Sequence, residues 1–193
     1  MAYNYDVVIV GGGAAGLMCA IEAGRRGRHV LVLEHADKPG KKILISGGGR
    51  CNFTNLGATP EMYISQNPRF AISALSRYTS AEFIAMVEQH GIAYHEKTLG
   101  QLFCNGSSEQ ILGMLLQECS DANVMMRTAC IVTGVKREGE GFSLTTSSGS
   151  LSAESLVVAT GGLSIPKMGA TGWAHSLARQ FDLRMTEVRP GRL

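Results

Sequence analysis

The feature that most restricts this chain lies in its first 34 residues. The run YDVVIV (5–10) is short, apolar and rich in β-branched residues, the composition of a strand buried on both faces of a parallel sheet. Gly11, Gly13 and Gly16 follow in the spacing G-x-G-x-x-G, with Ala14 and Ala15 between them. Next, LMCAIEAGRRG has helical apolar spacing up to Gly27, and HVLVLE (29–34) reads as a second strand. Strand, glycine turn, helix and strand form a βαβ unit in which each glycine has a separate task. Gly11 permits the tight turn, Gly13 lets the backbone approach a pyrophosphate, and Gly16 lets the helix pack closely on the sheet. The helix start offers free N–H groups and the positive dipole end to phosphates. Glu34, at the end of the second strand, is placed to accept hydrogen bonds from an adenosine ribose, and its charge disfavours a 2′-phosphate. Together these elements predict dinucleotide binding.

Composition narrows the setting. With 193 residues and 45% hydrophobic content the chain can bury a real core, which excludes disorder. The formal charge of +2 gives no sign of a nucleic-acid partner, and the one basic cluster, Arg25, Arg26 and Arg28, falls where a helix should end and its dipole is negative. Five cysteines without a C-x-x-C pair suit a reduced compartment better than a disulfide framework. The apolar N-terminus lacks a basic leader and is too short to span a membrane, so the expected location is cytoplasmic, with no membrane partner.

After Glu34 the chain does not proceed promptly to a third parallel strand. It enters HADKPGKKILISGGGRCNFTN, a long stretch without periodicity. Gly47, Gly48 and Gly49 free the backbone so that its N–H groups can point at a ligand, and Arg50, Asn52 and Asn55 add donors. This predicts a second ligand-contacting loop. Further on, TSAEFIAMVEQHG carries a capping box from Thr79 to Glu82, IAYHEKTLGQLFCN reads as a hairpin turning near Gly100, and Ser107 and Gln110 open a helix running towards Asn123. Residues 129–153 read as an antiparallel meander leading to a final strand, 156–160.

The segments VVIVGGGAAGLMCA, GKKILISGGGRCNFTN, LGQLFCNGSSEQIL and LVVATGGLSIPKMGATGWAH, in this order, resemble the YhiN/BaiN-like NAD(P)/FAD-dependent oxidoreductases. The S-G-G-G-R-C-N loop is the specific part of that resemblance. It implies an α/β, Rossmann-like FAD-binding domain of the two-dinucleotide flavoprotein type, a parallel sheet with helices and a β-meander. It also implies FAD as cofactor, with NAD(P)H as electron donor and a small-molecule substrate. On this basis Gly11, Gly13 and Gly16 hold the pyrophosphate and Glu34 the ribose. Lys42 and the segment Ser46, Gly47, Gly48, Gly49, Arg50, Cys51 and Asn52 lie along the flavin half, and Thr160, Gly161 and Gly162 pass near the cofactor.

Family members are about twice as long, so the resemblance implies a truncated form: residues 1–185 as an FAD-binding domain lacking its C-terminal return, and 186–193 as the start of an inserted substrate domain. Two other readings stand beside FAD-dependent oxidoreductase. One is a non-catalytic flavin-binding fragment, the other a relative of the tRNA-modifying flavoproteins. Catalytic residues are unassigned and no metal site is expected, because His90, His95 and His175 are dispersed and read as solvated or core-satisfied. Cys51 and Cys104 could meet as a redox pair, but the absence of a close C-x₂₋₄-C spacing favours a packing role.

Overall fold

The computed structural model describes residues 3–163 and 171–187. They form two compact units, one of the described residues within 1–39 and 119–193, the other of residues 40–118.

In the first unit the βαβ motif forms as its sequence dictates. β1 (Tyr5–Val10) is followed by α1 (Ala14–Arg25) and β2 (Val30–Leu33), and β1 and β2 are parallel with Val8 opposite Leu31. All four residues of β2 are buried, as expected of a strand covered on both faces. Gly16, Leu17, Ala20 and Ile21 form the buried stripe of α1, a spacing that repeats every helical turn.

The third parallel strand does exist, but it comes only after the whole second unit. β6 (Met125–Arg127) pairs with β2, Leu31 opposite Met125, and the sheet order is β6-β2-β1-β9-β8-β7. With three residues and one apolar pair, β6 is too short to give a sequence signal. The meander is present as β7 (Val132–Glu138), β8 (Gly141–Thr146) and β9 (Gly149–Val158). It differs from expectation at its end: no separate final strand follows, because β9 runs straight on. Its first half pairs antiparallel with β8 and its second half parallel with β1, and Ala153 is opposite both Phe142 and Tyr5. The core of this unit collects Val8, Val10, Leu31, Leu33, Leu144, Leu151 and Leu177, the last from α6 (Trp173–Gln180).

The second unit corrects the reading of its first residues as a structureless loop. Residues 41–55 contain α2 (Lys41–Ile45), a 3₁₀ turn at Ser46–Gly49, and β3 (Asn52–Asn55). These pieces are too short for periodicity to show. The later elements match expectation. After α3 (Ile72–Arg77) comes α4 (Ser80–Gln89), whose capping box is formed: the Glu82 amide donates to Thr79 Oγ1 at 3.3 Å and the Thr79 amide donates to the Glu82 carboxylate at 2.6 Å. β4 (Tyr94–Glu96) and β5 (Gln101–Cys104) make the hairpin, with β3 on the outer edge of β5, giving the order β3-β5-β4. α5 (Ser108–Asp121) completes the unit and buries Ile111, Leu112, Met114 and Leu115. No helix among the described residues is long and apolar enough to cross a membrane.

The packing of α1 on its own turn generates a prediction. A Cβ at Gly16 would overlap the Gly11 carbonyl oxygen and come within 3.4 Å of the Ala159 methyl. Gly16→Ala is therefore expected to destabilise the fold by about 3 kcal/mol, at the upper end of the cost of overpacking. Urea-unfolding midpoints of the two proteins test this.

Candidate functional site

In the first unit, three chain segments converge at the C-terminal ends of the parallel strands, where open α/β sheets bind ligands. They are the glycine turn after β1, Glu34 after β2, and residues 159–162 after β9. Backbone hydrogen bonds tie them together. The Gly11 amide donates to the Leu33 carbonyl at 2.8 Å and the Ala159 amide to the Val10 carbonyl at 2.8 Å.

Within this junction the glycines separate by role. Gly11 has φ +113°, and a Cβ there would sit 2.5 Å from the Ala159 carbonyl oxygen, so the position is closed to any side chain. Gly13, the residue before α1, has an ordinary extended conformation (φ −85°), and a Cβ on it would meet nothing within 4 Å. Gly11 and Gly16 are thus required by the fold itself, while Gly13 opens onto free space at the start of a 12-residue helix with no side-chain cap. That end of α1 carries unpaired N–H groups and the positive dipole end, suited to an anion.

Glu34 is 7% exposed, and both its carboxylate oxygens are engaged. Oε2 accepts from the Gly12 amide at 2.7 Å, and Oε1 accepts from the Ala36 amide at 2.8 Å and lies 3.0 Å from His35 Nδ1. The acid therefore braces the glycine turn from the second strand, a role its sequence position did not disclose. Oε2, with one partner, keeps a second lone pair and so has acceptor capacity for a hydroxyl group. Thr160 supplies the complementary observation: its Oγ1 is buried without a hydrogen-bond partner, an expense a native fold rarely tolerates without a ligand to satisfy it. Gly161, next to it, is left-handed at φ +74°. An open helix N-terminus, a buried carboxylate with a spare lone pair on Oε2 and an orphaned hydroxyl fit the pyrophosphate and a ribose hydroxyl of a dinucleotide.

The second unit holds the other predicted loop. Gly47, Gly48 and Gly49 take left-handed φ values of 58°, 66° and 85°, and Cys51 follows at 50°. A Cβ at Gly47 would strike the Phe103 ring at 2.6 Å, whereas Gly48 and Gly49 face open space. Ser46 anchors the loop, donating from Oγ to the Ile43 carbonyl at 2.8 Å, and the Cys51 amide donates to the Ser46 carbonyl at 3.0 Å. Arg50 and Asn52 are exposed, as is Lys42 one turn earlier.

This unit also brings Cys51 and Cys104 together. Asn52 pairs with Phe103, so the two cysteines stand opposite each other at the adjoining ends of β3 and β5, both buried. Burial pushes the Cys104 thiol up to about 11, with the neighbouring Cys51 adding to the shift. Burial likewise raises Cys51, against a hydrogen bond from Ser46 that lowers it. Thiols that hold their protons so firmly are poor nucleophiles at neutral pH, which supports packing over dithiol chemistry. Of His90, His95 and His175, the first two have local partners: His90 Nε2 lies 2.6 Å from Glu118 Oε1 and His95 Nδ1 2.7 Å from Asn105 Oδ1. Among the described residues no group of three or more His, Cys, Asp or Glu could hold a metal.

A parallel sheet with a glycine turn, an acid after the second strand and a meander leading to the strand beside the first defines a Rossmann-type flavoprotein fold. The chain belongs to the HI0933-like family, whose Rossmann domain matches residues 5–191 and is of the FAD-binding type. It is 50% identical to the Escherichia coli (strain K12) ribosomal RNA dihydrouridine synthase across 97% of this chain and 47% of that protein. It is 29% identical to the 3-dehydro-bile acid delta(4,6)-reductase of Clostridium scindens across 94% of this chain and 45% of that protein. The chain spans about half the length of these relatives. Among solved structures, the 3-ketosteroid-delta4-(5alpha)-dehydrogenase of Rhodococcus jostii RHA1 shares the fold with a TM-score of 0.61 at 16% identity, covering 84% of this chain and 47% of that one.

The thiol environment makes stability pH-dependent. The folded state keeps the Cys51 and Cys104 protons to higher pH than the unfolded chain does, so their contribution is fully present below the ordinary thiol range. It is lost as the pH rises towards about 11. Urea midpoints measured from neutral to alkaline pH should fall over that window, and should fall less in a Cys51→Ala/Cys104→Ala double variant.

Proposed function

We propose that this protein is the FAD-binding part of an FAD-dependent oxidoreductase that reduces uridine in ribosomal RNA to dihydrouridine, with NAD(P)H as electron donor. The observation that carries the RNA substrate is the 50% identity over nearly the whole chain to a ribosomal RNA dihydrouridine synthase. The bile acid reductase stands at 29%, so it weighs less on substrate, though its chemistry is related. In uracil the reducible carbon–carbon double bond is conjugated to a carbonyl, as in an enone, and such a bond accepts hydride at one carbon and a proton at the other.

In this proposal the residues divide the work by half of the cofactor. Gly13 lets the backbone and the α1 N-terminus approach the pyrophosphate, with Ala14 and Ala15 presenting the first helical amides. Glu34 accepts from a ribose hydroxyl while holding the Gly12 amide. Thr160 satisfies its orphaned hydroxyl on the cofactor, with Gly161 and Gly162 keeping that approach open. Lys42 and the loop Ser46–Asn52 face the flavin, with Gly48 and Gly49 leaving their backbone N–H groups uncovered. Bound flavin supplies hydride transfer; the protein's part is to bind, orient and exclude water.

The RNA substrate departs from the expectation of no nucleic-acid partner. That expectation rested on net charge, which averages over the whole surface and says little about a local contact. A cytoplasmic location suits an enzyme acting on ribosomal RNA. The competing reading is a flavin-binding fragment without activity.

The deciding experiment supplies the FAD-loaded protein with NAD(P)H and unmodified ribosomal RNA, then measures nucleosides by mass spectrometry. Gain of one H₂ on a uridine is the expected result; flavin binding with no such gain, and no turnover of NAD(P)H with an artificial acceptor, leaves the fragment reading. Two substitutions test the cofactor assignment by flavin fluorescence titration. Gly13→Val should leave stability within about 1 kcal/mol, since its side chain meets open space, yet weaken FAD at least about tenfold. Glu34→Ala should weaken FAD by about 1–3 kcal/mol, the scale for losing a charged hydrogen-bond partner.

A further inference from the structure

In the second unit, one face of the three-stranded sheet is neither apolar nor acidic. A row of paired residues crosses it, Asn52 on β3, Phe103 on β5 and His95 on β4. Phe103 is buried and forms the floor. The His95 ring stacks on it with centroids 6.3 Å apart and planes at 24°, and Lys97 Nζ stands 5.1 Å from its centroid. These contacts order two exposed, cation-capable side chains side by side. Among the described residues Lys97 has no ion-pair partner. The acid of the hairpin, Glu96, alternates to the opposite side and accepts from the Gly100 amide at 3.1 Å.

The tip of this hairpin carries a second anomaly. Leu99 is 92% exposed and left-handed at φ +52°, a conformation that disfavours a leucine and usually falls to Gly, Asn or Asp. Its position is held from behind: its carbonyl accepts from Asn55 Nδ2 at 2.8 Å, and the Leu56 amide donates to the Gly100 carbonyl at 2.9 Å. A strained, rigidly supported, exposed apolar side chain two residues from an unpaired lysine points to a ligand that is apolar at one point and anionic beside it.

We infer that the β4–β5 hairpin is an RNA-contacting element of this protein. Leu99 enters the space left when the target uridine leaves its stack, and Lys97 takes a phosphate next to it. The inference rests on the ribosomal RNA reading above. An enzyme that acts on the ring of a base within a helix must extrude that base, and an apolar wedge in the gap compensates for lost stacking. A protein partner would use the exposed leucine but has no need for an unpaired lysine and an exposed histidine ordered on one ring next to it.

Fluorescence anisotropy of the FAD-loaded full chain tests this with two labelled RNAs, a ribosomal-RNA-derived hairpin with uridine in its stem and an unstructured strand of the same composition. Leu99→Asn keeps a residue that tolerates the left-handed conformation and removes the wedge. It should weaken the stem-loop by about fivefold or more, the low end of a lost stacking contact, and leave the unstructured strand unchanged. Lys97→Gln should weaken both RNAs and flatten the plot of log affinity against log salt by about 0.7, the share of one phosphate on a single strand. FAD affinity should stay at the wild-type value in both variants, which confirms folding. Wild-type affinity in both variants overturns the hairpin assignment while the ribosomal RNA reading stands. A wild-type chain that binds neither RNA overturns that reading as well. Loss at Leu99 with no effect of Lys97→Gln on affinity or on the salt slope overturns the phosphate contact at Lys97.

Discussion

Everything at the cofactor end of the first unit depends on how closely α1 sits on the turn that precedes it. With no Cβ at Gly16, the helix settles against the Gly11 carbonyl; with none at Gly11, the turn lies against the Ala159 carbonyl. Any side chain at either place would push the helix or the β9 segment away by more than the packing could absorb. The close approach places the helix N-terminus, the acid after β2 and the hydroxyl after β9 around one small volume. Glu34 then locks it by accepting from the Gly12 amide. The residue proposed to accept from the ribose thus also keeps the glycine turn in shape.

Much of this was legible in the sequence because glycine spacing and apolar periodicity report local geometry directly. G-x-G-x-x-G between an apolar run and a helical stripe admits few backbones, and the Thr79/Glu82 box marks a helix start by mutual hydrogen bonding. What stayed hidden had one of two causes. β6 and the α2–β3 segment are too short for any period to emerge, so only tertiary pairing defines them. The meeting of Cys51 and Cys104, and the bracing of Gly12 by Glu34, are products of register and turn closure, which a linear spacing does not encode. The Leu99 strain is of the same kind: the residue is ordinary in the sequence and becomes unusual only through its φ.

The second unit shows where conformational cost is concentrated. Of the five non-glycine residues with left-handed φ among the described residues, Cys51 and Leu99 both belong to its small sheet, one entering β3 and the other at the hairpin tip. Three successive left-handed glycines, Gly47 to Gly49, precede Cys51 with only Arg50 between. Such a loop loses much chain entropy on folding, and its anchors at Ser46 and Phe103 offset that loss by fixing both its ends. The open sides of Gly48 and Gly49 are what that arrangement leaves uncovered.

The double pairing of β9 carries a consequence for motion. Because one uninterrupted strand is the last member of the meander and also the neighbour of β1, with Ala153 bonded into both ladders, the meander cannot detach without pulling on the strand that leads to Thr160. The antiparallel and parallel halves of the sheet therefore open as a single cooperative block, and amide protons in β8 and β1 share one exchange regime. A disturbance on the meander's outer surface reaches the Thr160 turn through the backbone of one strand.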